Sequence, residues 1–146
     1  MDGHIAVRER SSFFIALWNE EVSSLSELIS YFLFETISYH DYAESFYHAF
    51  LAGLFTNAGY IVESNYESGL GRPDLVIKDK KKRQAVIIEI KIAESMQSLQ
   101  KSAEKAMDQI EDMRYADGIF AQGDQKVIKY GAAFYRKNCL ISKSEV

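Results

Sequence analysis

The chain has 146 residues, the size of a single domain, and 47% of them are hydrophobic against 26% charged, which excludes bulk disorder. No run approaches the roughly 18 apolar residues that cross a bilayer, so no membrane partner is expected. Seventeen basic and 21 acidic residues leave a net charge of −4, which excludes a strongly basic coat for nucleic acid but not a local basic patch. The charge is uneven: residues 1–50 carry two basic and eight acidic side chains, and residues 51–146 carry fifteen and thirteen. The single cysteine, Cys139, cannot pair internally or build a cysteine-rich zinc site. With no basic-then-apolar leader, a reducing cytoplasm is the expected compartment.

The apolar, aromatic stretch from Ser11 to Trp18 reads as a helix or packed arm. In the next segment Leu25, Leu28, Ile29, Phe32, Leu33 and Thr36 recur at helical spacing, and Ser24 with Glu27 has the form of a capping box. Ala43, Phe46, Tyr47, Phe50, Leu51, Leu54 and Phe55 give a second regular helix, with Asp41 able to cap its start and Gly59 its end. The period then changes to that of strands. Tyr60–Tyr66, a turn at Gly69–Gly71, Asp74–Lys78, a charged turn at Lys80–Arg83 and Ala85–Ile92 read as three consecutive strands. The last is apolar on both faces and therefore central in its sheet.

A long helix is expected from about Ser95 to Tyr115, with Met96, Leu99, Ala103, Ala106, Met107, Ile110 and Met113 toward the core. Two strands close the chain, Val127–Tyr135 and Cys139–Ser142, around a turn at Lys137 and Asn138. The order α-α-β-β-β-α-β-β makes an α/β fold, a central mixed sheet flanked by helices.

Glu89 and Lys91 are out of place in the most apolar strand. Two apart, they share a face and lie about 6.6 Å apart. A plain reading makes them an exposed pair at a strand end, because burying either alone costs several kcal/mol. Asp74 favours a different one. It opens the neighbouring strand, fifteen residues before Glu89, so a hairpin brings both carboxylates to the same end. Two converging carboxylates repel, and a hard divalent cation relieves the repulsion. Mg²⁺ suits oxygen ligands, which Asp74, Glu89 and the Ile90 carbonyl can supply. The alternative for Asp74 is a turn cap.

Pro73-Asp74 followed by Glu89-Ile90-Lys91 on the next strand resembles the PD-(D/E)xK nuclease motif. Glu44-Ser45-Phe46-Tyr47-His48, Ser64-Asn65-Tyr66-Glu67-Ser68-Gly69, Gly71-Arg72-Pro73-Asp74, Gln109-Ile110 with Tyr115, and Lys129-Tyr130-Gly131 narrow the likeness. Together they are similar to the nuclease-like domain at the C-terminal end of bacterial AAA-ATPase-like proteins, from about Ser24 to Ser142.

The resemblance implies a restriction-endonuclease-like core and Mg²⁺-dependent hydrolysis of nucleic-acid phosphodiesters, DNA being the expected substrate and Mn²⁺ a substitute metal. It makes Asp74 and Glu89 metal ligands and Lys91 the group that orients or deprotonates the attacking water. Glu44 falls where many relatives have a further acidic residue, although Asp41 and Glu44 also read as a helix cap. Gln109 is a candidate for placing substrate or Lys91. Some relatives have Gln-x-x-x-Tyr there, whereas Tyr115 is six residues on. Arg72 and Tyr115 are candidate substrate contacts, Arg72 alternatively pairing with Glu67. His48, one turn after Glu44, either joins it or is a packing or surface residue. The basic turn Lys78–Arg83 is a solvated loop or touches nucleic-acid backbone.

The domain proper is expected over residues 24–146, with residues 1–23 as an arm and possible dimer surface. Relatives carry an ATPase region upstream, so the chain reads as a fragment. The rival function is a non-catalytic nucleic-acid-binding or oligomerisation module of such a larger protein.

Overall fold

The computed structural model describes residues 3–36, 43–65 and 71–144. The expected cap at Asp41, the turn residue Gly69 and the Glu67 partner of Arg72 lie outside these residues. Three helices open the chain, α1 (Gly3–Trp18), α2 (Val22–Thr36) and α3 (Glu44–Asn57). Strands β1 (Ile61–Ser64), β2 (Leu75–Asp79) and β3 (Gln84–Ile92) follow, then a 3-10 turn at Met96–Ser98, α4 (Leu99–Asp112), α5 (Tyr115–Ala121), β4 (Lys126–Tyr135) and β5 (Asn138–Lys143).

The five strands lie in chain order with β3 at the centre. All neighbours run antiparallel except β3 and β4, whose parallel pairing is made possible by the α4–α5 crossover. This is the expected mixed sheet between helices. Alternation along the strands splits the core into two layers. Leu75, Ile77, Val86, Ile88 and Ile90 face α1, α2 and α3, whereas Val76, Ala85 and Ile87 face Met107 and Ile110 of α4 and Tyr115 and Ile119 of α5. Odd-numbered residues of β3, Glu89 and Lys91 among them, therefore share the α4–α5 side.

Local chemistry explains the boundaries. After α3, Gly59 takes φ +92°, its N–H donates to Thr56 O at 3.0 Å, and the Tyr60 N–H donates to Phe55 O at 3.3 Å. This is the double C-terminal cap that a glycine makes possible. The helix α2 starts at Val22, earlier than expected, so Ser24 and Glu27 lie inside it and form no capping box. The Leu25 N–H donates instead to Glu21 O at 3.0 Å.

The outermost strand β5 is sealed by α2. Ser26 and Ser30 accept from the N–H groups of Ile141 and Cys139, each at 2.9 Å, satisfying donors that an open sheet edge would expose. Trp18 anchors α1 by donating its indole N–H to the Tyr60 hydroxyl at 3.0 Å.

Two further sequence expectations need correction. The helix after β3 is broken: Arg114 sits at φ 55°, the left-handed region that stops a right-handed helix, and a short helix not foreseen in the sequence restarts at Tyr115. Met96 and Met113, expected to face the core, are both exposed. The second correction is small. The β4–β5 turn is Arg136–Lys137, and Asn138 already pairs with Tyr135.

Candidate active site

The register of the β2–β3 hairpin builds the site. Leu75 stands opposite Ile88, so Asp74 and Glu89 meet one step beyond. Each carboxylate then binds the other strand's backbone. The Asp74 N–H donates to Glu89 Oε1 at 3.0 Å, and the Ile90 N–H donates to Asp74 Oδ2 at 2.8 Å. These reciprocal bonds fix both side chains. Asn65 braces the segment from β1's end, its N–H donating to Asp74 O and its side-chain amide to Pro73 O, each at 2.9 Å.

Glu89 is only 3% exposed, so it is no solvent-facing member of a Glu–Lys pair. Burial, then the Asp74 charge, pushes its carboxyl up to about 7. The Asp74 carboxyl is also raised, chiefly by burial, although the Ile90 N–H and His48 work in the opposite direction. Desolvation and mutual repulsion thus both disfavour two free carboxylates here.

Gln109 of α4 stands between Glu89 and Lys91. Its amide N–H donates to Glu89 Oε2, and its carbonyl oxygen accepts from Lys91 Nζ at 2.8 Å. The helix break explains the unusual spacing to Tyr115. Six residues along an unbroken helix would turn Tyr115 well away from Gln109, but the restart at Arg114 returns the phenol oxygen to 3.5 Å from the Gln109 amide nitrogen.

On the other flank, α3 brings Glu44 and His48 to Asp74. His48 Nε2 is 3.4 Å from Glu44 Oε2 and 3.9 Å from Asp74 Oδ1. Buried to 2% exposure, His48 connects the two acids. Of the expected site residues, Asp74, Glu89, Ile90, Lys91, Gln109, Tyr115 and Glu44 are brought together. Arg72 lies exposed just before Pro73, beside the cluster, and the Lys80–Arg83 turn is at the opposite end of the hairpin, where Asp79 pairs with Gln84. Sequence reading quoted Asn65 only within the family likeness and gave it no role, and it undervalued His48, whose position four residues after Glu44 was the available clue.

A family model described as the PD-(D/E)XK nuclease superfamily matches residues 42–144. The chain belongs to the PD-(D/E)XK nuclease superfamily. No curated protein and no solved structure matches it. The match begins just before α3 and runs through β5, so it takes in every residue of the cluster.

Members of this superfamily generally use divalent metals, and the donor set here fits one. Hard carboxylate oxygens converge, and both carboxyls are held above their ordinary values by burial that a bound cation would offset. Among the described residues no group of three or more His, Cys, Asp or Glu side chains gathers as metal ligands. A cation would therefore need a backbone carbonyl and water besides Asp74 and Glu89.

Proposed function

We propose that this domain is a metal-dependent nuclease that hydrolyses phosphodiester bonds of nucleic acid, with DNA the first substrate to test. The observation that carries the reading is the Asp74–Glu89 interlock with Lys91 two residues on, held through Gln109 inside the span of the superfamily match. Asp74, Glu89 and the Ile90 carbonyl would hold Mg²⁺, or Mn²⁺ in its place, which supplies charge neutralisation at the phosphate and a more acidic bound water. A strand's N–H and C=O point to the same edge, and the Ile90 N–H already points to Asp74. Its carbonyl is thereby aimed toward the same side.

The chain's own groups perform the remaining work. Lys91 Nζ either orients the attacking water as an ammonium, placing positive charge where the phosphate oxygens gain negative charge, or as a neutral amine takes the water's proton. Gln109 holds that ammonium in place through its carbonyl oxygen. Glu44, through His48, keeps Asp74 turned toward Glu89. Arg72 contributes a phosphate contact at the edge of the cluster.

Cleavage of plasmid, linear and single-stranded DNA and of RNA should be followed in Mg²⁺, Mn²⁺ and EDTA. Lys91→Ala should abolish turnover while calorimetry still detects metal binding, and Asp74→Ala should abolish both. Equal metal binding by Asp74→Ala and the parent would remove the metal-site assignment. Equal cleavage by Lys91→Ala would trace the activity to a contaminant.

A second reading, a module that assembles with a partner, is favoured by the surface of α1 and α2. Ile15 and Phe34 are 59% and 67% exposed, apolar side chains that a partner would cover. A second copy of this chain, or an ATPase domain of the kind found beside similar nuclease-like domains, is the proposed occupant, in the cytoplasm.

A further inference from the structure

A cleft of about 340 Å³ opens beside the acidic cluster, at the lower end of the roughly 300–1,000 Å³ typical of small-ligand sites. It shares walls with that cluster. Pro73 lines it and leads directly into Asp74, and Tyr115 lines it while its hydroxyl lies 3.5 Å from Gln109. Val76 and Ile119, both buried, make an apolar floor. Arg72 and Arg114 supply two guanidinium groups at the walls, both on exposed residues. Arg114 pairs with Asp117 at 2.8 Å, but that pair is open to solvent and exchanges readily for a phosphate.

Glu63 also lines the cleft. Two arginines against one carboxylate leave the lining net positive, which suits an uncharged ring carrying flanking phosphates. Gly118 of α5 completes the wall, and a Cβ built on it meets nothing within 4 Å. Glycine is a poor choice inside a helix where alanine fits without strain. Packing does not require it at this position, and its effect is to leave the cleft unfilled.

We propose that this cleft receives one unstacked nucleobase of the strand being cut, with Arg72 and Arg114 holding the phosphates that flank it. The inference rests on the nuclease reading and narrows its substrate. A base seated there has left the helical stack, so the preferred substrate is single-stranded, or carries an unpaired nucleotide beside the scissile phosphate, in preference to continuous duplex.

Gly118→Leu fills the cleft without touching the Asp74–Glu89–Lys91 cluster, and circular dichroism with thermal melting establishes that it folds. Binding of labelled DNA and RNA oligonucleotides, single-stranded, duplex and duplex with one unpaired nucleotide, is measured in Mg²⁺ in a Lys91→Ala background that prevents cleavage. Gly118→Leu should weaken binding to the single strand and to the unpaired nucleotide about ten-fold, the order contributed by one base contact, and leave duplex binding unchanged. Replacing the nucleotide beside the cut by an abasic residue should erase the difference between parent and variant. Equal single-strand binding by the two proteins, or a loss confined to duplex, would overturn the subsite.

Cleavage by the two proteins with Lys91 intact separates the layers of the claim. If neither cleaves yet the binding difference persists, the nuclease reading falls and the base-binding cleft stands. If both cleave every substrate alike, the cleft assignment falls and the nuclease stands.

Discussion

Glu89 carries the clearest conflict between folding and chemistry. In the unfolded chain its carboxyl titrates near 4.5, and in the folded protein near 7. The folded state thus holds the proton more tightly, so in the absence of metal, stability is highest below about 4.5 and falls as pH rises toward about 7. Asp74, also raised, adds to the same slope. Melting temperatures in EDTA should decline over this window, and Glu89→Gln, neutral at every pH, should flatten the decline and melt higher than the parent at pH values above it. Excess Mg²⁺ should raise the parent's melting point and leave the variant's nearly unchanged. A parent that melts independently of pH in EDTA, with Glu89→Gln following it, would contradict the assignment. Asp74, Glu89 and Lys91 were legible in the sequence because charges in an apolar strand are costly and hairpin spacing is arithmetic. Gln109 was ambiguous, since an amide beside an apolar helix face reads equally well as solvated edge until its two partners are seen.

Two backbone features set how closely α4 approaches the sheet and where it stops. Gly131 on β4 lies opposite Glu89 on β3, and a Cβ there would sit 2.3 Å from Ala103 O and 2.8 Å from Met107 N. Only glycine lets α4 lie this near, and that nearness is what allows Gln109 to reach Glu89 and Lys91. Gly131→Ala must push α4 outward, costing about 1–3 kcal/mol and lengthening the Gln109 contacts. Nuclease turnover should fall more than melting temperature alone accounts for, with metal affinity largely kept. Unchanged turnover would show that Gln109 does not depend on this approach. The apolar face of α4 from Leu99 to Ile110 was plain from its period. Its end was not, because Met113 continues the period past a break that depends on one residue's left-handed backbone. The seven-residue α5, with Gly118 at its middle, has no periodicity of its own to reveal it.

The central place of β3 follows from patterning, for a strand apolar on both faces is expected at the middle of its sheet, and β3 is there. What the pattern could not assign was the N-terminal surface, since an apolar helix looks the same whether its second face meets the core or a partner. Phe13, Ala16 and Leu17 are buried in the core shared with α2 and α3, while Ile15 is exposed. Light scattering across a concentration series should give a mass above that of one 16.7 kDa chain, and Ile15→Glu with Phe34→Glu should return it to one chain without loss of helix content. A parent of single-chain mass at every concentration would rule out self-association and leave a different protein as the occupant. The β5 edge is closed by α2 serines, so strand addition is unavailable on that side of the sheet.

The bond between Trp18 and Tyr60 gives the molecule a built-in reporter. Trp18 is the sole tryptophan, its ring centroid 5.7 Å from that of Tyr60, so its fluorescence registers the seating of α1 on the α3–β1 junction and little else. Emission and far-ultraviolet dichroism recorded along one denaturant series would coincide if α1 melts with the sheet. Emission changing first would mark α1 as a detachable latch, free to leave the body while the Asp74–Glu89–Lys91 cluster, which contains none of its residues, stays assembled.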